Sequence, residues 1–157
     1  LFRLRKVSKF YLAISDKKPK KKQGLIKGDV EPSRRGSWKL CKSRDNPAIT
    51  QFFSHSIKPG MRLYLLKPHT GKTHQIRVSL KSLSAPIVGD VLYHNAWEAS
   101  KADRAYLHAY SLSFSLRGKS YTYTVPPSSG ALFLEKSTQK AIQEQYGSPD
   151  TLSWPAL

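Results

Sequence analysis

Between Met61 and Leu83 the hydrophobic period changes, and that change constrains the fold more than any other feature of the chain. Met61-Arg62-Leu63-Tyr64-Leu65-Leu66 alternates with a period near two, as a half-buried strand does. Beyond Gly71 the apolar residues Ile76, Leu80 and Leu83 fall at i, i+4 and i+7, which marks one face of a helix. The chain must therefore leave a strand, turn at Thr70-Gly71 and enter a helix predicted from about Thr73 to Leu83. Lys72, His74, Gln75 and Arg77 crowd that helix start. Unpaired backbone N–H groups and the helix dipole favour an anion there, and Arg77 adds a planar two-pronged donor one turn in.

The flanking sequence supplies more strands. Residues 7–15 mix β-branched and aromatic residues, with Lys9, Tyr11 and Ala13 on one face. Residues 36–44 and 48–58 read as two further strands parted by Asp45-Asn46-Pro47, and Pro59-Gly60 makes the next sharp turn. Short turns make antiparallel pairing the expectation. The polar residues 94–104 suit an exposed connection or short helix. A strand from Leu107 to about Leu116 then returns through Arg117-Gly118-Lys119-Ser120 as Tyr121–Val125, stopped by Pro126-Pro127. A last helix is predicted over residues 132–146. The fold class is α+β, one domain with a mixed, mainly antiparallel sheet and a few helices, and 157 residues suffice for a hydrophobic core.

Charge narrows the partners. Lys and Arg number 27 against 10 acidic residues, a net charge of +17, and 15 of the 27 lie in the first 44 positions. Such an excess implies a polyanion, with nucleic acid the natural candidate. The run Asp16-Lys17-Lys18-Pro19-Lys20-Lys21-Lys22-Gln23 cannot bury anything and is expected to be a flexible loop, either merely solvated or a phosphate-contacting finger. No segment approaches the roughly 18 apolar residues of a spanning helix, so no membrane partner is expected. One cysteine, Cys41, and no signal-like segment suit a reducing cytoplasm, with Cys41 a passive thiol.

Two other chemistries fail on spacing. Gly71-Lys72-Thr73 ends like a nucleotide-binding P-loop, but the position five before Gly71 is Leu66, so the glycine-rich cradle is missing. The five histidines, His55, His69, His74, His94 and His108, show no metal-ligand spacing and no accompanying carboxylate cluster, so no metal is expected.

In ordered motifs spread over nearly its whole length, the chain resembles the RluA-type family of RNA pseudouridine synthases. The family hallmark Thr-Gly-Arg-Thr-His-Gln-Ile/Leu-Arg-Val-His is carried as Thr70 to Ser79, with Lys72 in place of Arg and Ser79 in place of His. Around it stand Lys9-Phe10-Tyr11-Leu12-Ala13, Ala48-Ile49-Thr50, Pro86-Ile87-Val88-Gly89-Asp90 with Leu92-Tyr93, and Leu107-His108-Ala109 with Leu112 and Phe114. The resemblance implies part of that family's catalytic fold. It also implies cofactor-free isomerisation of a specific uridine in structured RNA, ribosomal or transfer, by a monomer. In such enzymes an aspartate does the covalent or proton-abstracting work, and the arginine matching Arg77 pairs with it. The tyrosine matching Tyr11 stacks on the flipped base, and Ile76 would line the base pocket. Lys9, Lys72, His74 and Gln75 complete the expected substrate-binding set.

One part of the pattern is absent. The family's His-Arg-Leu-Asp-x-x-Thr-Ser-Gly segment has no counterpart here, and none of the six aspartates, Asp16, Asp29, Asp45, Asp90, Asp103 and Asp150, has its context. Asp90 occupies the Gly-Asp turn that the family uses structurally. The expectation is therefore a C-terminal portion of a longer synthase, its residues 1–157 binding RNA weakly and inactive alone, with Arg77 shaped for a carboxylate that the chain lacks. A catalytically dead RNA-binding relative and a basic ribosome-associated protein remain as alternatives.

Overall fold

A computed structural model describes residues 7–157. Arg3, Arg5 and Lys6, part of the basic N-terminal segment, lie outside the described residues. The alternating segments form six strands of one sheet: β1 (Val7–Ser15), β2 (Gly24–Gly28), β5 (Ala48–Lys58), β6 (Met61–Pro68), β7 (Leu107–Leu116) and β8 (Lys119–Thr124). Their order is β2-β5-β6-β1-β7-β8, and every pairing among them is antiparallel. A separate hairpin pairs β3 (Val30–Pro32) with β4 (Trp38–Leu40). The helices are α1 (Gln75–Ser82), α2 (Ala96–Ser100), α3 (Ala131–Leu134) and α4 (Lys136–Tyr146). The α+β expectation and the mainly antiparallel sheet both hold.

Residues facing each other across antiparallel strands share a sheet face. Leu12, Leu65 and Phe53 thus stand on one face, and Tyr11, Leu66 and Phe52 on the other. The first face is covered by α3, α4 and the C-terminal tail. Trp154 packs 4.6 Å from the ring of Phe53 and 5.9 Å from that of Phe10, and Phe133 packs against His108, which lies opposite Leu12. The second face receives α1, whose Ile76 and Leu80 join the core. Burial on both faces explains why β1 and β6 carry long apolar runs rather than clean alternation.

Several expected boundaries move, each for a local reason. The helix predicted from Thr73 begins at Gln75 because His74 sits in the left-handed region, φ 51°. The strand predicted over 36–44 shrinks to Trp38–Leu40 and belongs to the small hairpin. Gly24–Gly28 forms an edge strand that its glycine ends conceal, since pairing with β5 supplies the order that propensity does not. The helix predicted over 132–146 breaks at Glu135, whose ψ of 144° is extended. The lysine-rich loop is exposed yet tethered: Lys20 N–H donates to the Leu83 carbonyl at 2.8 Å and the Ser54 hydroxyl bonds the Lys22 carbonyl.

Candidate active site

The turn between β6 and α1 is built around one buried side chain. The Gln75 amide oxygen accepts from the Thr70 hydroxyl at 2.7 Å and from Lys72 N–H at 2.9 Å, while its nitrogen donates to the Ile49 carbonyl and the Thr50 hydroxyl, both at 3.0 Å. Two lone pairs and two N–H groups exhaust what an amide offers. Gln75, expected among the substrate contacts, therefore holds the turn to β5 and has no group left for a ligand. The Thr70 hydroxyl also accepts from Ile49 N–H at 3.0 Å. Ser79, where the family pattern has histidine, is buried with its hydroxyl 3.4 Å from that of Thr50.

With the helix start fixed, Arg77 projects from its first turn onto Asp90. Nε and Nη2 donate to the two carboxylate oxygens, each at 2.9 Å. This is the planar, two-pronged geometry that arginine alone provides. Asp90 is buried, and its Oδ1 also accepts from Leu92 N–H at 3.1 Å and Tyr93 N–H at 3.3 Å. Arg77 is expected to hold a catalytic aspartate that the chain lacks; the carboxylate it meets within the chain is that of Asp90. The hydrogen bonds that Arg77 donates to Asp90 raise the Arg77 pKa further, so the guanidinium stays charged. Asp90 takes up two of the five N–H groups of Arg77, and the Arg77 side chain remains 27% exposed.

Tyr93 closes the second side of this arrangement. Its ring lies under the Arg77 guanidinium, 5.0 Å from ring centre to the guanidinium carbon, within cation–π range. Its hydroxyl accepts from Trp38 N–H at 2.7 Å and lies 2.9 Å from His74 Nδ1. Burial pushes the phenol's pKa up, which keeps it protonated. Trp38, in β4, escaped the sequence reading because no local pattern connects it to a tyrosine 55 positions away.

The remaining expected site residues fall as follows. Tyr11 is half-buried on the sheet face that receives α1, two strands across from Thr50, and Lys9 is exposed on the same face. Ile76 is buried with Leu80 and Leu83. Lys72 is half-buried; its charge adds to the lowering of the Asp29 pKa, which comes first from the Ser43 hydrogen bond. One cluster went unexpected: Asp16, His94 and Glu98 come together, with His94 Nε2 2.7 Å from Asp16 and Nδ1 3.7 Å from Glu98. Lys17 pairs with Glu98 at 3.3 Å.

Comparison with known proteins decides the family. The family model for RNA pseudouridylate synthase matches residues 1–82, just over half of the chain. The chain belongs to the RNA pseudouridylate synthase family. An uncharacterized RNA pseudouridine synthase of Haemophilus influenzae is 51% identical over 143 residues, covering 91% of this chain and 63% of that protein. The dual-specificity RNA pseudouridine synthase RluA of Salmonella typhimurium is 32% identical over 130 residues, covering 80% of this chain and 59% of that one. The chain thus spans less than two thirds of the length of these relatives. Among solved structures, human RNA pseudouridylate synthase domain containing 1 superimposes with a TM-score of 0.66 at 25% identity, over 80% of this chain and 57% of that one. Human RNA pseudouridylate synthase domain containing 4, at 21% identity and a TM-score of 0.63, shares the fold. Among the described residues no helix is long and apolar enough to cross a membrane.

Proposed function

We propose that this pseudouridylate synthase family chain supplies the arginine and tyrosine half of an active site that isomerises a specific uridine in structured RNA, ribosomal or transfer, without a cofactor. The observation that carries this reading is the two-edged placement of Arg77. Asp90 locks the edge formed by Nε and Nη2, at 2.9 Å on both arms. The three N–H groups that remain can hold a second carboxylate in its ionised form by charge proximity. That second carboxylate is the one that attacks or abstracts a proton.

Asp90 does not fill the role itself. It is buried, and it accepts four hydrogen bonds, two from Arg77 and two from backbone N–H groups, so its oxygens are committed and cannot approach a substrate. Tyr11 stands ready as a stacking platform, since a uridine must leave its helical stack before its base can be turned over. Relatives of this chain are longer, and the working carboxylate comes from the additional length. The 157-residue chain binds RNA and isomerises nothing.

Arg77→Ala in a protein that includes the aspartate-bearing segment tests the assignment. Loss of tritium release from RNA labelled at uridine C5 by about a hundred-fold or more is expected, the scale of losing one charge-stabilising donor. Undiminished release would refute the role of Arg77. Tyr11→Ala should reduce release while leaving RNA affinity largely intact.

A further inference from the structure

Asp16, at the exit of β1, meets His94 and Glu98, which stand four residues apart at the start of α2. All three hang from fixed backbone. Ser15, just before Asp16, donates its hydroxyl to the Pro86 carbonyl at 2.7 Å, and His94 N–H donates to the Asp90 carbonyl at 2.9 Å. Glu98 N–H donates to the Asn95 side chain, which caps α2, at 3.1 Å.

The His94 ring is buried, its side chain 2% exposed, and its two nitrogens differ. Nε2 lies 2.7 Å from Asp16 Oδ1; a carboxylate only accepts, so Nε2 carries the proton. In the neutral ring Nδ1 is then a lone pair. It is shielded from solvent, has no hydrogen-bond partner among the described residues, and faces Glu98 Oε2 at 3.7 Å. Buried polar atoms are as a rule hydrogen-bonded, and a lone pair opposite a carboxylate oxygen repels it, so the gap suits a cation. A zinc-type ion with nitrogen and oxygen ligands at about 2.1 Å in tetrahedral geometry sets them about 3.4 Å apart. The gap between Nδ1 and Oε2 is close to that separation.

We propose that His94 Nδ1 and Glu98 hold a divalent transition-metal ion of the zinc class, with Asp16 orienting the imidazole from behind and water completing the coordination. A carboxylate behind a ligating histidine fixes its tautomer and raises its basicity. Nitrogen in the donor set disfavours magnesium and calcium, which take oxygen. Lys17, exposed and 3.3 Å from the same Glu98 oxygen, is the competing cation. The bound ion clips the start of the lysine-rich loop to α2.

Calorimetric titration of zinc into the chelator-stripped 157-residue chain tests the site. Glu98→Gln changes an exposed side chain, so it should keep the metal-free thermal transition of the parent and lose the saturable zinc binding. Zinc should raise the thermal midpoint of the parent and leave that of Glu98→Gln unmoved. Asp16→Asn should weaken zinc binding about ten-fold or more, the scale of losing a ligand's carboxylate partner. Lys17→Gln should tighten it several-fold, and excess magnesium should not displace the zinc. His94→Ala should also lose the site; it empties a buried position, so Glu98→Gln carries the test if that variant fails to fold. No saturable zinc binding by the parent would overturn the proposal. So would binding that Glu98→Gln and Asp16→Asn leave unchanged, as an ion held at Cys41 or another histidine would show.

Discussion

At the residue scale, the site depends on two buried polar side chains whose hydrogen bonds are complete. Asp90 is the sharper case, because its removal strands a partly buried guanidinium and two backbone N–H groups together. Asp90→Ala should cost about 3 kcal/mol in denaturant unfolding, as expected for breaking one side of a buried pair. Asp90→Asn, which keeps an acceptor for Leu92 and Tyr93, should cost less. Gln75→Leu leaves the Lys72 N–H unpaired, leaves the Ile49 carbonyl with His69 N–H as its remaining donor, and should cost about 2 kcal/mol by the same measurement. The place of Arg77 at the start of the helix after the turn was legible in the hallmark sequence. Its partner was not, because Asp90 lies 13 residues on, beyond a helix and a loop, and only the folded path of residues 83–90 brings it back. The part Gln75 plays in holding the turn was hidden for a related reason: sequence shows a polar residue at a helix start but not its four hydrogen-bond partners.

At the element scale, the strands that alternate or sit between strong turn signals were readable, and those that depend on partners were not. The β7–β8 hairpin was plain from Arg117-Gly118, and both residues adopt positive φ, 51° and 78°, as a type I′ turn requires. Arg117→Asn should therefore stabilise the chain by about 0.5 kcal/mol, measured as a raised thermal midpoint. β2 carried no such signal, since glycines at both ends and Lys27 weaken its own preference. The break at Glu135 between α3 and α4 was hidden because no glycine or proline marks it. α3 is tied to the segment before β7 by Asp103, which accepts from the Tyr106 hydroxyl and from Ala131 N–H at 2.8 Å. The Tyr106 hydrogen bond holds the Asp103 pKa below the ordinary carboxylate range. A lowered folded-state value means that Asp103 contributes stability above its unfolded pKa and loses it as pH falls through the folded one. Stability should drop below about pH 4 more steeply in the parent than in Asp103→Asn, as urea titrations across that range would show.

At the scale of the whole molecule, charge and architecture divide the work. The sheet buries β1 and β6 on both faces and so fixes where Tyr11 and the start of α1 stand, while the +17 excess suits a polyanion without specifying a site. Specificity then falls to the positioned groups: Arg77 on its Asp90 anchor, Tyr93 beneath it, Tyr11 across the sheet. The account's central claim is that these form half of a catalytic centre whose working carboxylate the chain does not carry. Pseudouridine formation on one RNA substrate, compared between the 157-residue chain and the same chain joined to an upstream aspartate-bearing segment, tests it most directly. The account predicts none from the chain alone and clear product from the joined protein. Product from the chain alone, lost in Asp90→Asn, would contradict it and make Asp90 the working carboxylate.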